Sequence, residues 1–86
     1  MSSIAELQAE LAAIGTLVLT ETGQMEHMYA GRGQTLCGKD TDPQRQAYGA
    51  FFPCLSCQRA EKGGKKVRSQ RAIRAAIRAA IRATDV

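Results

Sequence analysis

Cys54-Leu55-Ser56-Cys57 sets two thiols two residues apart, and the rest of the chain holds one more cysteine, Cys37, and one histidine, His27. Thiolate sulfur and imidazole nitrogen are what a tetrahedral zinc ion takes as ligands, and a C-x2-C pair is a chelate for two corners of that tetrahedron. Other chemistries use the same pair, and the surrounding residues exclude them. The zinc nucleobase deaminases need a His-x-Glu before their Pro-Cys-x-x-Cys. Here Pro53 precedes Cys54, but His27 is followed by Met28 and Tyr29, and Glu26 falls on the opposite side of a strand. Cys37 would close the position that a catalytic water needs. No βαβ pattern surrounds the pair, as a thioredoxin-like site requires. With His27 committed to a metal, no nucleophile–base pair remains, and an all-cysteine cluster is one ligand short. The expectation is one structural Zn2+ on His27, Cys37, Cys54 and Cys57, with no catalytic residues and no enzyme activity. The plain alternative is three free thiols and a surface histidine.

The ligands need elements to bring them together. Met25 to Tyr29 and Thr35 to Lys39 read as a hairpin around Gly31-Arg32-Gly33, with Gly33 taking the left-handed position of a three-residue loop. In that register Tyr29 faces Thr35, Met28 faces Leu36 and His27 faces Cys37 as a direct cross-strand neighbour. Gln58 to Lys62 reads as a helix following Cys57, and its positive end favours thiolate. Upstream, Ser3 with Glu6 is a capping box, Ile4, Leu7, Leu11 and Ile14 form an apolar stripe, and Gly15 stops the helix. Thr16 to Thr20 reads as a strand, and Glu21-Thr22-Gly23 as a turn. Asp40 to Pro53 reads as a polar loop with a late apolar cluster of Tyr48, Phe51 and Phe52. The metal would join hairpin to helix and stand in for core that the chain lacks.

Residues 27–38, His-Met-Tyr-Ala-Gly-Arg-Gly-Gln-Thr-Leu-Cys-Gly, followed by Cys54-Leu-Ser-Cys57, resemble the short zinc-finger proteins of actinobacteria and their phages. The resemblance spans roughly residues 24–62 and implies His27, Cys37, Cys54 and Cys57 as ligands. The N-terminal helix and the Ile/Arg/Ala tail lie outside it.

Charge is unevenly placed. Residues 1–30 carry Glu6, Glu10, Glu21 and Glu26 and no lysine or arginine, while residues 59–86 carry nine basic residues against Glu61 and Asp85. From Val67 to Thr84 the sequence is an Ala/Arg/Ile helix. On a wheel, Arg71, Arg74, Arg78 and Arg82 fall within about 80° of one another, beside a ridge of Ile73, Ile77 and Ile81, with alanines opposite. Arginine suits bidentate phosphate contact. Together with Lys62, Lys65, Lys66 and Arg68, the ridge is expected to bind nucleic acid, DNA before RNA, with weak sequence preference and loss of about 10³ in affinity between 50 and 200 mM salt. That makes a regulatory nucleic-acid-binding protein the leading expectation. The alternative is an adaptor that docks on a protein partner through Ile73, Ile77 and Ile81. A solvated arginine face that only keeps the helix soluble is the bland one. The N-terminal stripe either packs on the domain's own sheet or forms a homodimer seam through Ile4, Leu7, Leu11 and Ile14; alternatively the tail folds against the acidic N-terminal helix, Glu6 and Glu10 facing its arginines, within one chain or across a dimer.

Eighty-six residues allow one small domain with a thin core, carrying 2 Phe, 2 Tyr and no Trp. An enzyme that closes around a large substrate does not fit. No apolar run reaches membrane-spanning length, and the first residues lack the pattern of a secretory signal, so a cytoplasmic chain without membrane partners is expected. The fold class read from these elements is α+β: an N-terminal helix, a β-meander with hairpin and a basic C-terminal helix. Residues 1–62 form the metal domain and residues 63–86 the basic tail.

Overall fold

The computed structural model describes residues 3–21, 23–47 and 52–84. Thr22, Tyr48 and Phe51, assigned above to a turn and to an apolar cluster, lie outside the described residues. Helix α1 covers Ile4–Ala13. Ser3 caps it, its hydroxyl accepting from the Glu6 N–H at 3.2 Å, and the chain leaves it through Gly15 at φ +91°. The positive φ is what requires glycine there; a Cβ would also meet the end of the Lys66 side chain at 2.7 Å, which that flexible chain can move to relieve.

Strands β1 (Leu17–Val18), β2 (Met25–Gly31), β3 (Gln34–Thr35) and β4 (Phe52–Pro53) follow, then α2 (Leu55–Lys62) and α3 (Lys65–Thr84). The architecture is α+β, as expected. β2 is the hub: β1 and β3 pair with it antiparallel and β4 parallel. Pro53 lacks an N–H, and an edge position tolerates this. The expected Tyr29–Thr35 pairing is present, and the Leu36 N–H still donates to the Met28 carbonyl at 2.8 Å, but the loop is shorter than expected: Gly31 belongs to β2 and pairs with Gln34 around a two-residue Arg32-Gly33 turn, the register shifting between Tyr29 and Gly31. Beyond Thr35 the expected strand does not continue. The Thr35 N–H donates to the Lys39 carbonyl at 2.8 Å, the Lys39 N–H donates to the Thr35 hydroxyl at 3.0 Å, and Gly38 sits at φ +91°. These local bonds outcompete a ladder and fold residues 35–39 into a tight turn. Cys37 is carried on that turn rather than on a strand. Phe52, assigned to the apolar cluster, is 79% exposed.

Two small cores result. In one, Leu7 and Ile14 of α1 close on Ile73 of α3, with Leu11, Ile77 and Ala80 around them. In the other, Leu36, Cys54 and Cys57 are flanked by Met28, Ala30 and Ala60. The first core corrects two expectations. Leu7 and Ile14 are covered by the chain's own α3, so the apolar stripe of α1 is not left open as a dimer seam. Ile73 is 2% exposed and Ile77 half-buried against the same cluster, so they do not present a free docking ridge. The physical cause is shared: each helix is apolar on one side, and each is the nearest cover for the other. Helix α3, within the basic segment, therefore shares a core with the N-terminal helix.

One buried polar contact joins α1 to the hairpin. The Tyr29 hydroxyl donates to the Glu10 carboxylate at 2.9–3.0 Å and accepts from the Gly33 N–H at 3.0 Å, while the Arg32 N–H donates to Glu10 at 2.5 Å. Burial, with Glu10 adjacent, raises Tyr29 above the ordinary phenol range, so the ring keeps its proton. Among the described residues, no helix is long and apolar enough to cross a membrane.

Candidate metal centre

His27 sits near the middle of the chain's longest strand, 1% exposed, with its Nδ1 turned toward the sulfurs. Cys37 comes from the turn after β3. Cys54 is the N-cap of α2 and makes no side-chain capping bond, so its sulfur is free to ligate. Cys57, in the first turn of α2, is buried. The Cys54 N–H donates to the Glu26 carbonyl at 2.9 Å, which pins the start of α2 beside His27.

All four expected ligand atoms lie within 4.8 Å of one another. Cys37 Sγ is 3.4 Å and Cys57 Sγ 3.6 Å from His27 Nδ1, and Cys54 Sγ is 4.0 Å from Cys37 Sγ. A tetrahedral ion with metal–sulfur bonds of about 2.3 Å and metal–nitrogen bonds of about 2.05 Å needs edges of about 3.8 Å between sulfurs and about 3.6 Å from sulfur to nitrogen. The donor set therefore fits one ion with little rearrangement. The cluster can bind a metal and staple β2, the turn and α2 together.

Burial, with the charge of Lys39, lowers His27 below 6.5, so its imidazole is neutral at neutral pH and keeps a lone pair. Burial pushes the Cys57 thiol up to about 11. Burial alone would raise Cys37 too, but hydrogen bonds from Thr35, Cys57, Cys54 and the Lys39 N–H outweigh it and bring this thiol below its usual range. The Thr35 hydroxyl lies 3.1 Å from Cys37 Sγ.

Three contributors escaped the sequence reading. Thr35 and Lys39 build the turn that holds Cys37, and the only written trace of it is Gly38, placed where a left-handed residue is needed. Lys65, the first residue of α3, donates from its Nζ to the Leu36 carbonyl beside Cys37. Its place in the expected phosphate-contacting set is thus shared with a bond inside the metal lobe. Arg68 likewise donates from Nη1 to the Gly63 carbonyl at 2.9 Å, and Lys66 lies over Gly15. Arg71, Arg74, Arg78, Arg82 and Lys62 are exposed. Compared with known proteins, the chain matches no family model, no curated protein and no solved structure.

Proposed function

We propose that the chain is a zinc-stapled, non-enzymatic nucleic-acid-binding protein of the cytoplasm, regulatory in role, in which α3 carries the phosphate contacts. Zinc is the natural occupant of a closed set of three thiolates and one imidazole, because that donor set is soft, tetrahedral and complete without water. The resemblance of residues 24–62 to short actinobacterial and phage zinc-finger proteins supports the same ion.

The observation that carries the reading is the two-sidedness of α3. Ile73 packs against α1, at an apolar groove of about 850 Å³ between the two helices, while Arg71, Arg74, Arg78 and Arg82 stand exposed beside it. The ridge rises about 16.5 Å over its 11-residue span. A solubilising face needs no alignment, whereas a phosphate strand does. The adaptor reading loses support, because two of its three isoleucines are used inside the protomer.

Four arginines contacting four phosphates give a slope of log affinity on log salt of about −3.6, or a loss of about 150-fold between 50 and 200 mM salt. Electrophoretic binding to duplex DNA and to RNA across a salt series, with zinc content measured, tests this. Changing Arg71, Arg74, Arg78 and Arg82 together to Gln should flatten the slope and abolish binding at 150 mM salt. Binding that survives the change unaltered, or that ignores salt, would remove the ridge from the account.

A further inference from the structure

Beside the arginine ridge, and facing a different way, the surface dips into a recess of about 210 Å³ between the hairpin turn and the first turns of α3. Arg32 comes to it from the turn, Gln34 from β3, and Lys65 and Ser69 from α3, one helical turn apart. Ala72 leaves the wall open, and no carboxylate lines the space itself, although Glu10 lies behind Gly31 and Arg32 also borders the groove that holds Glu6 and Glu10. Two cations separated by 33 positions in sequence thus meet across one opening with an amide and a hydroxyl between them.

Arg32 and Gly33 are the two central residues of the hairpin turn, which needs positive φ at both. Gly31 and Gly33 take positive φ, as glycine does readily, but Arg32 itself sits at φ +57°. A side chain larger than glycine pays in energy for that conformation. The cost is met by pinning: the Arg32 N–H donates to Glu10 and the Gly33 N–H to Tyr29. Glu10 is thereby occupied with the backbone and with Tyr29. Among the described residues, the Arg32 guanidinium, the Gln34 amide and the Ser69 hydroxyl have no side-chain partner. Lys65 gives one N–H to the Leu36 carbonyl and has others to give.

We propose that this recess is a binding site for a phosphoryl anion. A guanidinium fork, an ammonium, an amide N–H and a hydroxyl arriving from several directions suit an oxyanion with three or more oxygens better than a flat carboxylate. The site is separate from the ridge of the proposed nucleic-acid reading: Lys65, Ser69 and Ala72 point about 100–160° around the helix from Arg71. The phosphoryl group belongs either to a nucleic-acid backbone bent round the helix or to a small phosphorylated compound.

The test uses the metal-loaded full chain and inorganic phosphate, followed by amide NMR at fixed ionic strength set with chloride. Phosphate should move the amides of Arg32, Gln34 and Ser69. Arg32→Gln should weaken its binding about tenfold, the worth of one charge-assisted contact, and Ser69→Ala should weaken it less. Arg32→Gly, which fits the turn without strain, should match Arg32→Gln if charge is the cause. The four-arginine ridge variant should bind phosphate as the parent does, which separates this site from the ridge reading. Shifts confined to residues 71–82, or unchanged phosphate affinity in both Arg32 variants with metal content retained, would overturn the proposal. An oligonucleotide titration then names the source. Weakening by Arg32→Gln assigns the site to backbone phosphate, and unchanged oligonucleotide binding beside lost phosphate binding assigns it to a small phosphorylated ligand.

Discussion

Cys57 and His27 show how a single buried position sets the terms of metal binding. The same burial that holds the Cys57 thiol protonated to about 11 holds the His27 imidazole neutral below 6.5. A cation entering the cluster must therefore displace protons from sulfur but not from nitrogen, and its affinity rises with pH. On the acid side the sign follows from His27. Its folded-state pKa is lowered, so its contribution to stability is complete above about 6.5 and is lost as pH falls through the lower folded value. Protonation of the thiolates acts in the same direction. The d–d absorption of a Co2+-substituted sample should be constant above about pH 6.5 and fall at lower pH, with loss of cooperative thermal unfolding in step. Cobalt absorption that persists unchanged to pH 4 would mean that protons do not compete with the ion for these four side chains, and the pH linkage would fall. The four candidate ligands were legible in sequence because the chain has no other cysteine or histidine to offer. Thr35, Lys39 and Lys65 were not, because each acts through backbone groups of a turn whose closure no residue type announces.

At the level of elements, legibility followed how local the physics is. Ser3 with Glu6 and Gly15 bracket α1 within one turn of each end, and the glycines of the hairpin fix its reversal, so both could be read from neighbouring residues. The partnership of α1 with α3 was legible only as one alternative, suggested by opposite charge, whereas the structure joins the two helices through the apolar Leu7, Ile14 and Ile73; an apolar stripe states that it must be covered without stating by what. The short reach of β3 was also hidden, because turn bonds from Lys39 to Thr35 compete with the ladder only once the turn has formed. Tyr29 is the contact that ties these elements together. Tyr29→Phe keeps the buried ring but leaves the Gly33 N–H and the Glu10 carboxylate without their partner. The expected loss is about 1–3 kcal/mol, read as a lower urea midpoint at unchanged m-value and fixed metal concentration. A loss below about 0.5 kcal/mol would show that water replaces the hydroxyl freely and that the hairpin is not anchored to α1 through it.

Across the whole molecule, 48 × 25 × 17 Å, the metal lobe and the α1–α3 core are two small centres joined along α3. Lys65 fastens the helix start to the turn bearing Cys37, and Ile73 fastens its middle to α1. Charge and order are therefore held by different parts, and metal removal should separate them. The arginines remain when the metal leaves, so the number of phosphates neutralised, and with it the slope of log affinity on log salt, should be unchanged. What changes is order. Without the ion, the start of α3 loses its mount, and the helix must be organised during binding, at a cost typical of coupled folding of about 2–5 kcal/mol if all of it is paid. Retention of the α1 contact should confine the loss to the lower end, about 30-fold in affinity. Chelated and metal-loaded samples titrated with the same duplex should thus give two parallel lines on a log–log plot, with the chelated one displaced toward weaker binding. Lines that cross or differ in slope would mean that the ion or its ligands touch the nucleic acid directly. Coincident lines would mean that α3 is held by α1 alone, and that the metal orders a part of the protein that binding does not use.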